Sequence, residues 1–156
     1  MPLFTTARPP LFAFPQRVDE RVVRTVAAGV LLTILVGYAT RSAWVLPLLA
    51  LGFTLRVAAG PRYSLLAQAS LRLVRGLGIP PRPIPGAPKQ FAASIGATLL
   101  WTASALALVG QERAAWGLAG VVVVFATLES AFAWCAGCKV FALLWPCEVC
   151  APAADA

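Results

Sequence analysis

The sequence predicts an all-α fold: a polytopic membrane protein built as a bundle of four transmembrane helices. Three observations point there. Of 156 residues, 60% are hydrophobic and 12% are charged, with a mean hydropathy of +0.80; soluble domains hold roughly half apolar and about a quarter charged residues. Four apolar stretches approach the ~20 residues that a spanning helix needs. Lysines and arginines gather in alternate segments between those stretches, which is how membrane orientation is written.

Taken in order, residues 1–21 form an N-terminal interfacial arm. Pro2, Pro9, Pro10 and Pro15 interrupt it, so a cleavable signal peptide is not expected. The membrane domain spans 22–144. Its first helix, 22–39, is broken only by Arg24. Its second, 43–59, begins near Pro47, which a helix tolerates in its first turn, and Arg56 shortens its apolar part. An amphipathic helix follows over 63–76, with Ser64, Gln68, Arg72 and Arg75 on one side and Leu66, Ala69, Leu73 and Val74 on the other. It lies on the cytoplasmic leaflet or packs on the bundle. Residues 79–88 hold five prolines and read as an extended connector. The third helix covers 91–110. The fourth, 114–144, runs as one helix until Pro146 forbids continuation, and 145–156 is a cysteine-containing tail. Small residues four apart (Gly29, Thr33 and Gly37; Ala92 and Gly96) and the closer pair Gly117 and Gly120 mark faces where helices approach.

Orientation follows from charge. With the N-terminus inside, eleven of the thirteen lysines and arginines fall on inner segments, and only Arg41 and Arg113 fall on outer turns. The expectation is a multi-pass inner-membrane protein with both termini in the cytoplasm. The net charge of +7 and pI near 10.1 are therefore topological, and no nucleic-acid partner is expected; the partner is the lipid bilayer. The absence of histidine removes His-ligated haem, His acid–base chemistry and mixed Cys/His zinc sites. Trp44, Trp116, Trp134 and Trp145 fall at helix ends, as an aromatic belt requires.

The chemistry concentrates at the C-terminal end. Cys135 and Cys138 form one C-x-x-C pair, and Cys147 and Cys150 a second. On a continuous fourth helix the first pair lies one turn apart, toward the negative end of the helix dipole, which opposes a thiolate. Lys139 is then the expected thiolate stabiliser. In a reducing compartment paired thiols mean exchange chemistry or metal more often than static disulfides. Two readings follow. The four cysteines exchange disulfides or sulfur with a thioredoxin-like or sulfurtransferase partner, or they bind or help transport a soft metal such as zinc, copper or mercury as a tetrathiolate. Eight residues separate the pairs, short of the ~15–20 of zinc ribbons. A structural membrane subunit without chemistry is the remaining reading, and self-association into an oligomer is compatible with each of the three. Glu129 is an acid inside the apolar fourth helix, a functional candidate by its place; the plain alternative is a hydrogen bond to Thr33, Thr54, Thr102 or Ser104.

The segment Pro88-Lys89-Gln90-Phe91-Ala92 with Gly96, and the run from Glu129 to Cys138 (E-S-A-F-A-W-C-A-G-C), carry a resemblance. They are similar to a family of small bacterial integral membrane proteins of unknown function, with R/K-x-F-A opening the third helix and C-x-G-C ending the fourth. The resemblance runs from Val18 to Leu144. It implies a four-helix architecture and draws attention to Cys135 and Cys138, and it implies no activity.

Overall fold

The computed structural model describes residues 15, 17–60 and 63–144. Among them are six helices and one short two-stranded ladder: β1 (Arg17–Asp19), α1 (Glu20–Ala39), α2 (Val45–Ala59), α3 (Leu65–Gly76), β2 (Pro83–Pro85), α4 (Gly86–Leu108), α5 (Glu112–Phe132) and α6 (Ala136–Leu144). The fold is all-helical, and α1, α4 and α5 are long and apolar enough to cross a membrane. The fifteen-residue α2 is apolar but shorter.

Local chemistry sets the boundaries. Asp19 caps α1 by accepting from the Arg21 N–H, and its carboxylate also accepts from the Arg82 N–H across the chain. The proline-rich connector is extended as expected, because prolines fix φ and donate nothing. It pairs antiparallel with β1 in the register Arg17↔Pro85, Val18↔Ile84, Asp19↔Pro83. Expected from residue 91, α4 instead begins at Gly86. Pro88 thus occupies its first turn, where the missing N–H costs no intrahelical bond.

Packing joins α2 to α4, α1 to α5 and α4 to α5, with α3 against α1 and α6 against α4. Alanines make the close contacts: Ala50, Ala103, Ala115 and Ala119 are wholly enclosed, around Leu46 and Leu100. A methyl-sized side chain lets two backbones approach, which is how helices gain dispersion energy where there is no water to expel. Gly29 lies against Leu66, Gly37 against Val45 and Gly96 against Phe53, whereas Gly117 and Gly120 face open space. The outer faces remain apolar, with Leu32, Leu48 and Val124 more than half exposed.

The fourth predicted helix is not continuous to Leu144. α5 stops at Phe132, and Ala133 turns left-handed at φ 55°. The Ala133 and Trp134 N–H groups close back on the Glu129 and Leu128 carbonyls, an αL helix ending of the kind usually given to glycine. The Arg24 guanidinium donates to the Ser130 and Ala131 carbonyls at 3.0 and 3.1 Å. A cation on the last orphan carbonyls offsets the negative helix end. The chain then restarts as α6.

Candidate functional site: a thiol pair over a charged cavity floor

The break at Ala133 moves the first cysteine pair from the end of one helix to the start of another. Cys135 is the residue before α6. Its carbonyl accepts from the Lys139 N–H, and its sulfur accepts from the Cys138 N–H at 3.3 Å. The sulfur thus takes the place of a capping oxygen. Both cysteines are free and half-buried. The expected dipole therefore has the opposite sign at this pair: a helix N-terminus favours negative charge.

The two sulfurs are unequal. The Cys138 thiol, donating to Cys135, pulls the Cys135 thiol down from 9.0 to about 7 against the effects of burial and Glu129, with Lys89 helping. The same hydrogen bond, reinforced by burial, pushes Cys138 well up. One thiol is thus ready to ionise near neutrality while its neighbour holds its proton.

The cation beside them is Lys89 on α4. Lys139, the expected stabiliser, is exposed on α6. Lys89 Nζ donates to Glu129 Oε1 across the α4–α5 contact, with both side chains mostly enclosed. Glu129 therefore has an ion-pair partner and not a hydroxyl. Thr33, Thr54, Thr102 and Ser104 each donate to the carbonyl four residues back in their own helices. In apolar surroundings, pairing is what makes a carboxylate and an ammonium tolerable.

Gly137 explains the glycine of the C-x-G-C segment. A Cβ there would stand 2.7 Å from the Ala92 Cα, a backbone atom with nowhere to go. The bare glycine lets α6 seat on α4 one turn beyond Lys89, and Phe91 and Phe141 pack their rings 5.7 Å apart beside it.

Above the pair opens a cavity of about 200 Å³. Val26 and Val30 of α1, Phe53 of α2, Leu99 of α4, and Val122 and Phe125 of α5 form its apolar walls. Its charged end is made by Arg56, Lys89, Glu129 and Cys135. Arg56 Nε is shut from solvent and has no hydrogen-bond partner among the described residues. The sequence marks Arg56 as the end of an apolar run and an inner-side charge, and Lys89 as an inner-side charge and part of the K-Q-F-A segment, and it places neither beside the cysteines. The signal available was an arginine placed within an otherwise spanning segment.

The second pair, Cys147 and Cys150, lies outside the described residues, as do the arm before Pro15 and the tail. The four-cysteine relay and the tetrathiolate both depend on that pair. Among the described residues no three Cys, Asp or Glu side chains gather as a metal site.

A family described as a domain of unknown function, DUF4395, matches residues 18–145. No curated protein and no solved structure matches the chain.

Proposed function

Since the chain belongs to the DUF4395 family, whose description names no activity, we propose its function from its own geometry: it is an integral membrane protein that performs thiol–disulfide or sulfur exchange through Cys135 and Cys138. The observation that carries this reading is the asymmetric pair at the start of α6, one sulfur lowered by hydrogen bonding beside Lys89 and the other raised. Exchange needs a thiolate to attack and a protonated thiol held in reserve to resolve the mixed disulfide. Charge supports it too. Arg56 and Lys89 place two cations at the cavity floor and Glu129 one anion, so a Cys135 thiolate brings the group to neutrality.

In this reading α1, α2, α4 and α5 cross an inner membrane, with both termini and the thiol pair on the cytoplasmic side. The fifteen residues of α2 rise about 22 Å against a hydrocarbon core of ~30 Å. Local thinning and snorkelling of Arg56 accommodate the difference. The exposed leucines on the outer faces support a lipid environment, since soluble surfaces rarely carry such continuous apolar area. The partner is a cytoplasmic thioredoxin-like or sulfurtransferase protein, which the tail pair Cys147 and Cys150 serves in relay.

The test is Cys138→Ser. With the resolving thiol removed, Cys135 stalls in a mixed disulfide with a partner or a tail cysteine, visible by non-reducing electrophoresis and mass spectrometry. If Cys135 forms no mixed disulfide under mild oxidation, and Cys138→Ser behaves as the parent protein does, exchange is not the function of this pair.

A further inference from the structure

We propose that the cavity between α1, α2, α4 and α5 binds a neutral, membrane-soluble quinone, which takes two electrons from the Cys135–Cys138 pair. The inference rests on the thiol-exchange reading and names its electron acceptor.

Four observations carry it. First, Cys135 and Gly137 are part of the cavity wall, so whatever occupies the cavity meets the thiol pair directly. Second, the remaining walls are aliphatic and aromatic, and most come from α1, α4 and α5, the helices long and apolar enough to cross a membrane. An occupant is therefore lipophilic and arrives from the bilayer. Third, the floor sets two cations, Arg56 and Lys89, against Glu129, and the Cys135 thiolate that attacks in exchange completes the balance, so an occupant meeting that thiolate brings no net charge; a further buried charge would be unpaired and costly. Fourth, Arg56 Nε is an enclosed donor without a partner among the described residues, and such a donor is costly until an acceptor oxygen meets it. A fatty acid carries the wrong charge, and an apolar disulfide lacks the oxygen. A carbonyl compound that is lipophilic, uncharged and able to accept two electrons is a quinone.

The electrons and protons balance. The Cys135 thiolate adds to a quinone ring carbon, forming a carbon–sulfur bond. Cys138 gives up its proton to the reduced ring and attacks the Cys135 sulfur. A sulfur–sulfur bond forms, the carbon–sulfur bond breaks, and that electron pair stays on the ring. One proton has come from the Cys138 thiol and the second is taken up from water, replacing the one Cys135 released on ionising. The products are one disulfide and one quinol.

The test uses the full chain, reduced, in phosphatidylcholine nanodiscs under anaerobic conditions, with a decyl-tailed benzoquinone as the probe. Quinone reduction is followed by ultraviolet absorbance and the Cys135–Cys138 disulfide by mass spectrometry, expected in equal amounts. In parallel, the reduced protein is treated with glutathione disulfide, which reads the exchange chemistry alone. Ala126→Phe, which fills the cavity from α5, is expected to lower the rate of quinone reduction at least tenfold relative to the glutathione disulfide rate. An azido-quinone is expected to cross-link within α1, α4 or α5 next to the cavity, a readout independent of whether Ala126→Phe folds. If glutathione disulfide oxidises the pair and the quinone does not, the acceptor assignment fails and the exchange reading stands. If neither oxidises it, both fail. Equal quinone reduction in a folded Ala126→Phe protein, or cross-links only outside the cavity, also overturns the site.

Discussion

Removing the Cys138 thiol should disarm Cys135 without touching it. The hydrogen bond from Cys138 is the largest cause of the lowered Cys135 ionisation, which falls from 9.0 to about 7. A group half-ionised at 7 is about a tenth thiolate at pH 6, where one at 9 is about a thousandth, a ratio near a hundred. Alkylation follows the thiolate and not the thiol, so in a Cys147→Ser/Cys150→Ser background the iodoacetamide rate of Cys135 should climb with pH to a midpoint near 7. Cys138→Ala removes the donor and leaves only the backbone N–H and Lys89. The midpoint should rise by at least about one unit, which makes alkylation at pH 7 about fivefold slower. The sign is fixed: the donor stabilises the anion, so its loss moves the profile to higher pH. Peptide mass spectrometry measures both profiles on the same residue. An unchanged midpoint in Cys138→Ala, or a parent midpoint at the ordinary thiol value, would refute the asymmetry on which the proposed function rests.

Glu129→Gln strands the Lys89 ammonium among apolar side chains, and breaking an enclosed pair costs on the order of 3 kcal/mol; Lys89→Met added to it should recover most of the loss in a denaturation titration, and a cost under about 1 kcal/mol would mean the pair is not coupled. Gly137→Ala drives a methyl into the Ala92 backbone and should lift α6 from α4, so that Cys135 alkylates more slowly at pH 6 while α1–α5 melt as before; a parent-like rate would show that the seat does not position the thiols. Arg24→Ala strips two terminal carbonyls of α5 of their donor and should cost about 1.5–3 kcal/mol, the range for hydrogen bonds to a charged group; an unchanged melting profile would contradict that capping role.

The long apolar elements were legible because periodicity and length are local properties. α1 and α3 fall within two residues of where the sequence places them, and the proline run is extended over Pro83–Pro85, whereas Pro88 belongs to α4. The helix break was not legible. Ala133, Trp134 and Cys135 include neither glycine nor proline, and nothing in that tripeptide opposes a helix. The turn is imposed from elsewhere, by Arg24 on the α5 carbonyls and by the contact of Gly137 with Ala92. Both involve residues more than forty positions away in sequence. The same blindness hid the Lys89–Glu129 pair. Its members lie forty residues apart; the sequence presents Lys89 as an inner-side charge in the K-Q-F-A segment and Glu129 as an intramembrane acid or hydroxyl partner, and spacing alone does not join them. The cysteines themselves were conspicuous, yet the sign of the dipole acting on them depended entirely on the unseen turn.

The left-handed turn at Ala133 has a consequence of depth. A single helix through Leu144 would carry the chain a further ~18 Å along the α5 axis and set Cys135 and Cys138 about 5 and 9 Å past Phe132, beyond the end of α5 instead of beside α4. The turn at Ala133 instead seats α6 against the start of α4, with Gly137 on Ala92 near the plane where the long helices end. Any macromolecule that exchanges with these sulfurs must come down to that plane and present a flat or protruding reactive group. A partner whose own reactive atom lies at the bottom of a deep cleft would be excluded by shape alone.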